Sequence, residues 1–77
     1  MPSHDITEIK RIVGLVRRAG RTGITVAEIQ RHTGGTEQSI RAALRLQVDN
    51  GYMTTEEVWA GERYLHTRFR MMGGLPS

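Results

Sequence analysis

The chain has 77 residues, 38% of them hydrophobic, with a net charge of +3 and no cysteine. A chain of this length predicts one domain, residues 1–77, with a small core, because it buries only about 60% of the surface that it exposes when unfolded. Without cysteine, disulfides, thiolate metal sites and cysteine nucleophiles are excluded. No apolar run approaches the ~20 residues of a membrane span, and no signal-peptide pattern is present, so we expect a cytoplasmic protein.

The charge is unevenly distributed along the chain. Residues 9–48 hold eight Lys and Arg against two Glu, whereas residues 49–62 hold four acidic residues and neither Lys nor Arg. Ten of the eleven basic residues are arginines, whose forked guanidinium suits phosphates and guanine edges. A GC-rich codon usage explains the same excess equally well. The basic segment is where a polyanion would dock.

The first helix is predicted to follow Asp5 and to stop near Ala19-Gly20. Asp5 is a typical N-cap, and Glu8 stands three residues later, as in a capping box. Apolar residues then recur at helical spacing: Ile6, Ile9, Ile12, Val13 and Val16. A turn at 21–23 follows, and 23–25 leave room for only a very short strand.

The second helix is predicted to start at Thr25. Thr25 and Glu28 form the pattern of a full capping box, in which each side chain accepts a hydrogen bond from the other residue's backbone N–H. Val26 and Ile29 give this short helix its apolar side. Gly34-Gly35 is predicted to end it.

The third helix is predicted between a Thr36 cap and Gly51, a natural residue just beyond a helix end. One stripe at 100° per residue contains Ile40, Ala43, Leu44, Gln47 and Val48. The other side carries Gln38, Arg41, Ala42, Arg45 and Asp49. The two sides therefore predict a helix with one buried face and one polar face.

A β-hairpin is predicted over residues 52–70. Residues 52–59 are rich in types that favour strands, and residues 63–70 alternate, with Leu65 and Phe69 on one face. A two-stranded hairpin is not stable alone, so it must pack on the helices.

The turn of this hairpin is predicted at Ala60-Gly61. That turn would place Glu56 opposite Leu65 and Tyr52 opposite Phe69. The Gly- and Pro-containing segment after the hairpin, residues 71–77, is predicted to be a flexible tail.

The order helix, strand, helix, helix, strand, strand resembles the winged helix-turn-helix family of transcriptional regulators. The resemblance covers about residues 6–70 and is densest in residues 25–34, 36–44 and 49–53. It implies an α+β winged helix (α-β-α-α-β-β) with its helix-turn-helix at residues 25–51 and a wing hairpin at 52–70. Two residues depart from the family: Gln47 lies within the apolar stripe, and Gly35 stands where an apolar side chain is usual.

The resemblance implies that the third helix enters the major groove of double-stranded DNA. Its polar side supplies the candidate base-reading residues Gln38, Arg41, Ala42 and Arg45. Candidate phosphate contacts are Thr36 and Ser39 at the helix start and the arginines Arg17, Arg18, Arg21, Arg31, Arg63 and Arg68. A solvated polar surface explains each of these residues individually.

A second interpretation is a winged helix that binds protein as an inhibitor or adaptor. The acidic residues Glu56, Glu57 and Glu62 surround the hairpin tip, where phosphates would repel them. Trp59 near that tip either packs on the hairpin or the first helix, or marks a protein interface. A third interpretation is an architectural DNA binder without sequence preference.

The sequence favours a DNA-binding protein, and specifically a small regulator of the phage or mobile-element type. We expect no enzyme activity, metal or cofactor, since the three histidines lie in different elements and no phosphate-binding glycine loop is present. A homodimer is expected because one short helix reads only a few base pairs.

Overall fold

The helices and strands occur in the order that the sequence predicts. The computed structural model describes residues 6–72 as an α+β domain with three helices and one two-stranded antiparallel hairpin. The helices are α1 (Ile6–Ala19), α2 (Val26–Thr33) and α3 (Glu37–Asp49), and the strands are β1 (Met53–Ala60) and β2 (Arg63–Met71). A short 3-10 turn, Gly20–Thr22, follows α1.

The capping box of α2 is confirmed. The Thr25 N–H donates to Glu28 Oε1 at 3.0 Å, and the Glu28 N–H donates to Thr25 Oγ1 at 3.2 Å. The hydrogen bond from the Thr25 backbone is the main reason that the pKa of Glu28 lies below its usual value. At the other end, Gly34 adopts φ 76°, a left-handed cap that glycine takes without steric cost.

The limits of α3 are also confirmed. The Thr36 hydroxyl accepts from the Ser39 N–H at 3.1 Å, which satisfies one free donor of the first turn. At the C-terminus, the N–H groups of Gly51 and Tyr52 donate to the carbonyls of Val48 and Gln47, with Gly51 at φ 85°. This pair of bonds is a Schellman motif, and it turns the chain into β1. The predicted Asp5 cap of α1 lies outside the described residues.

The core forms where the apolar sides of the three helices meet the base of the hairpin. Its buried side chains are Ile12, Val16, Ile24, Val26, Ile29, Ile40, Ala43, Leu44 and Met53, and Phe69 and Met71 pack against them. One apolar residue of the predicted stripe of α1 does not reach the core: Ile6 is 68% exposed. Gln47, the polar residue in the stripe of α3, is half-buried. The polar side chain of Gln47 therefore lies at the margin of the core and stays hydrated.

The predicted register of the hairpin is wrong. Glu56 lies opposite Arg68 rather than Leu65, and Phe69 lies opposite Thr55 rather than Tyr52. The turn is formed by residues 61–62, one position later than expected, because Ala60 still pairs with Arg63. Gly61 adopts φ 65° as the first turn residue, which is what a type II′ hairpin requires.

A β-bulge adds a second shift in register. Trp59 pairs with Tyr64 and Val58 pairs with His66, so Leu65 is an extra residue on β2. The predicted alternation of Leu65 with Phe69 is broken there, and Leu65 is 47% exposed while Phe69 packs on the core. At the other end, Met71 pairs with Met53 and belongs to β2 rather than to a tail.

The hairpin is attached to the helices through the segment before α2. Ile24 and Phe69 exchange two backbone hydrogen bonds of 2.9 and 2.8 Å, so the predicted short strand is a single bridge. Gly23 precedes it at φ 77° and ψ 175°, a conformation open almost only to glycine. A Cβ at Gly23 would lie 3.1 Å from Arg68 Cβ and 3.2 Å from the Phe69 carbonyl oxygen.

The two glycines at positions 14 and 23 predict opposite effects of the same substitution. Gly23→Ala should destabilise the fold by about 1–3 kcal/mol, since the backbone must leave its conformation or push β2 away. Gly14→Ala should stabilise it by about 0.5–1 kcal/mol, because a Cβ in the middle of α1 meets no atom within 4 Å. Urea unfolding of both variants measures the two effects. If the two substitutions change the free energy of unfolding equally, the close approach of Gly23 to β2 does not require a glycine.

The capping box predicts a pH-dependent loss of stability in Thr25→Ala. At neutral pH the variant should lose about 1 kcal/mol. Glu28 has a lowered pKa in the folded state, so its stabilising contribution is full above the ordinary pKa and is lost as pH falls through the folded pKa. The difference from wild type should therefore narrow in acid. Thr22→Ala is the control, because Thr22 is exposed and its side chain makes no hydrogen bond within residues 6–72. The Glu28 carboxylate loses only the hydrogen bond from the Thr25 hydroxyl in this variant, because alanine keeps the backbone N–H. A difference from wild type that stays constant from neutral pH into acid would refute this account.

Candidate nucleic-acid interface

One side of α3 is fully exposed. Ile40, Ala43 and Leu44 are buried, and the residues between them face away from the core because successive side chains are 100° apart. The exposed residues include all four candidate base-reading positions, Gln38, Arg41, Ala42 and Arg45. The helix thus presents an amide, a methyl group and two guanidinium groups to the outside.

Arg41 is held by a neighbour on its own helix. Its Nε donates to Glu37 Oε2 at 2.8 Å, and its second guanidinium nitrogen lies 2.8 Å from the same oxygen. Both side chains are more than half exposed, so the pair contributes little stability. Arg45, one turn further on, makes no ion pair with any residue between 6 and 72. The two arginines therefore differ in how freely they can meet an anion.

The start of α3 is tied to α1 through Ser39. Its hydroxyl donates to Glu8 Oε1 at 3.3 Å, and its N–H is taken by Thr36. Both donor groups of Ser39 that were predicted to bind phosphate therefore have internal acceptors. A Cβ at Gly35 would lie 2.9 Å from Glu8 Oε2. This oxygen is the end of a flexible side chain, so a larger residue at position 35 would require the Glu8 carboxylate to move aside.

A cleft of about 300 Å³ separates α2 and α3 from β2. Gln30 and Arg41 line its helical side, and Tyr64, His66 and Thr67 line its strand side. The Tyr64 and Thr67 hydroxyls are 2.6 Å apart and hydrogen-bonded. The Nε2 atom of His66 is buried without a partner in the described chain. Polar side chains from α2 and β2 thus line the same cleft as Arg41.

Sequence reasoning missed Gln30, Tyr64 and Thr67 as neighbours of Arg41. Alternation along β2 places Thr67 on the same face as Phe69, so the side to which Thr67 points could have been predicted from the sequence. Tyr64 comes to that side only because the bulge at Leu65 shifts the strand by one residue.

Other arginines predicted to contact phosphate lie at a second cavity, of about 360 Å³. Arg17 and Arg21 border it together with Arg70, above a floor of apolar side chains: Val16, Met71 and Met72. Arg17, Arg18 and Arg21 are all exposed. None of them lines the cleft that contains Arg41. The structure therefore separates the predicted phosphate contacts into at least two groups.

The remaining predicted phosphate contacts have different surroundings. Arg68 donates to the carbonyl oxygens of Thr22 and Gly23, at 3.4 and 3.3 Å, and so links β2 to the 3-10 turn. Arg63 is exposed beside the hairpin turn, and Arg31 is exposed in the last turn of α2. Among these three guanidinium groups, only that of Arg68 donates a hydrogen bond to another residue in the range 6–72.

Trp59 packs on its own hairpin. Its ring meets Tyr64 edge to face, with centroids 5.6 Å apart and planes at 73°. Its Nε1–H donates to Glu57 at 3.2 Å. Trp59 nevertheless remains 51% exposed, and Tyr64 and Leu65 are each 47% exposed. The hairpin tip is therefore an aromatic surface bordered by a carboxylate.

Neither metal chemistry nor a membrane span is indicated between residues 6 and 72. No three His, Asp or Glu side chains in this range come together as metal ligands, and no helix is long and apolar enough to cross a bilayer. His32 is exposed on α2, as expected, and His4 lies outside the described residues.

Comparison with known proteins gives no family model that matches the chain and no curated protein of similar sequence.

Proposed function

We propose that this protein is a winged helix-turn-helix domain that binds double-stranded DNA by placing α3 in the major groove. One observation carries the proposal: Gln38, Arg41, Ala42 and Arg45 form a continuous exposed side opposite the buried stripe of α3. A helix of this width fits the groove, where Gln pairs with adenine, Arg with guanine and a methyl group with thymine. The charge of residues 9–48 supports the same function.

The packing of α2 and β2 supports this docking. A Gly-containing turn joins the two capped helices α2 and α3, and a helix-turn-helix likewise consists of two helices joined by a short turn. Gln30, Tyr64 and Thr67 stand beside Arg41 around the cleft, where their polar groups would meet the DNA backbone. In this proposal the hairpin is the wing, and the protein is a sequence-specific regulator in the cytoplasm.

Substituting a base-reading residue should change the sequence specificity of binding, whereas substituting a phosphate contact should lower the affinity for all DNA sequences equally. Arg45→Ala and Gln38→Ala should each weaken binding to a site selected from a random pool by about 1–3 kcal/mol, with relaxed preference at one base. Binding to random DNA should change less. Fluorescence anisotropy at several salt concentrations measures both, and the wild-type affinity should fall steeply with salt. Arg11→Ala is the charge-matched control, since Arg11 is exposed on α1 beside Thr33 and does not line the cleft that contains Arg41.

Two results would overturn the proposal. One is DNA binding that is absent or insensitive to salt. The other is an Arg45→Ala variant that binds as tightly as Arg11→Ala. Equal affinity for selected and random DNA would instead favour the architectural interpretation.

The Glu37–Arg41 pair predicts a variant that binds DNA more tightly. Glu37→Gln removes a carboxylate that both repels phosphate and holds the Arg41 guanidinium at 2.8 Å. We expect a severalfold higher affinity and a steeper dependence on salt. Glu62→Gln, the same charge change at the hairpin turn, should alter binding less. If both substitutions have equal effects, Arg41 does not face DNA.

The exposed aromatic tip favours one alternative function, a winged-helix module that binds protein. In that case Trp59→Ala abolishes the function of the protein in cells, whereas the double substitution Arg41→Glu and Arg45→Glu leaves that function intact. The opposite pattern is expected if the protein acts on DNA.

A further inference from the structure

Two surfaces of the chain have complementary chemistry. The first, the aromatic tip, consists of Trp59, Tyr64, Leu65 and Glu57. Its two rings stand at 73° to each other and are both about half exposed. Glu57 is held beside them by the Trp59 Nε1–H. Ring faces next to a fixed carboxylate favour the binding of a guanidinium group, through cation–π contact and charge-assisted hydrogen bonding.

The second surface, the basic socket, is the cavity between the end of α1 and the end of β2. Its apolar floor is Val16, Met71 and Met72, and Arg17, Arg21 and Arg70 surround it. Its volume of about 360 Å³ is in the range of pockets that hold small organic ligands. Arg17 and Arg21 make no ion pair within residues 6–72, and Arg70 has only a 3.8 Å contact with Glu56. The socket thus offers an apolar pocket with unneutralised cations at its edge.

We propose that the aromatic tip of one copy of this protein inserts into the basic socket of a second copy. The aromatic rings would cover the apolar floor, while Glu57 would face the Arg17 and Arg21 guanidinium groups. The contact joins two different surfaces, so the interface is heterologous (head-to-tail) rather than isologous. This occupant is favoured by charge, because the hairpin residues 57–65 carry Glu57 and Glu62 against Arg63, whereas three arginines surround the socket.

The contact cannot form within one molecule. Tyr64 and Met71 lie on the same strand, seven residues apart, which corresponds to about 23 Å at ~3.3 Å per residue. The tip and the socket therefore occupy opposite ends of one hairpin, and the tip can reach only the socket of another copy.

The tip shares Tyr64 and Leu65 with the lining of the cleft that contains Arg41, whereas Trp59 and Arg21 do not line that cleft. Substitutions at Trp59 and Arg21 therefore test association without removing a proposed contact with DNA in the cleft. In this proposal Arg17 and Arg21 bind the aromatic tip of another copy instead of the phosphates of DNA.

Sedimentation equilibrium without DNA, at low and high salt, tests the proposal. We expect the average mass of the wild type to rise with concentration and the rise to weaken in high salt. Trp59→Ala, which damages the tip, and Arg21→Glu, which damages the socket, should each weaken association about tenfold or more. Neither residue belongs to the buried core, so both variants should fold.

A mixture of the two variants gives the sharpest result. Trp59→Ala keeps an intact socket and Arg21→Glu keeps an intact tip, so the mixture should associate more strongly than either variant alone. Leu46→Ala and Arg11→Glu are the controls, because they shorten an exposed leucine on α3 and reverse an exposed arginine on α1, both outside the two surfaces. These controls should associate like the wild type.

Three outcomes would overturn the proposal: a wild type that stays monomeric, controls that lose association as strongly as the tip and socket variants, or a mixture that does not recover. An arginine-rich peptide that binds the tip of a monomeric wild type would show a different partner and would also overturn it. DNA binding is measured separately on the same variants. A monomeric protein that still binds selected DNA would leave the proposed function intact.

Discussion

The two hydrogen bonds between Ile24 and Phe69 decide how the rest of the molecule is arranged. A hairpin of two strands needs an attachment, and this bridge joins β2 to the residue just before the α2 cap. Phe69 and Met71 are thereby brought onto the core, and the strand runs beside α2 and α3 at the distance that leaves the cleft. The bridge needs Gly23 in its unusual conformation, so one glycine without a side chain positions the whole hairpin.

The helical part of the fold was largely readable from the sequence because its signals are local. Thr25 with Glu28, and Thr36 with the Ser39 N–H, act over three residues, and glycines at 34 and 51 end the helices within one turn. The buried side of α3 followed from spacing alone. The same spacing places the candidate base-reading residues outside, so their exposure was predictable even though their ligand was not. The Glu37–Arg41 pair, four residues apart, was equally readable.

What the sequence did not reveal depends on contacts between distant residues. The Ala60-Gly61 and Gly61-Glu62 turns differ by one residue, and the bulge at Leu65 has no local signal, so the register was wrong. The partners of Arg68 are backbone carbonyls more than forty residues away, and the acceptor of the Ser39 hydroxyl, Glu8, lies on α1. Such pairings arise only after the helices and hairpin have packed. The grouping of Arg17 and Arg21 with Arg70 is of the same kind.

The bulge at Leu65 divides the hairpin into two parts with different constraints on their sequence. Below it, Phe69, Met71 and Met53 belong to the core, where a change of size is felt throughout the domain. Above it, none of the described side chains packs against the core cluster. The upper part is therefore constrained by its own turn at Gly61 and by the contact between Trp59 and Tyr64 rather than by the core. A lineage of such proteins can exchange its contacts at the tip while the helical scaffold stays the same.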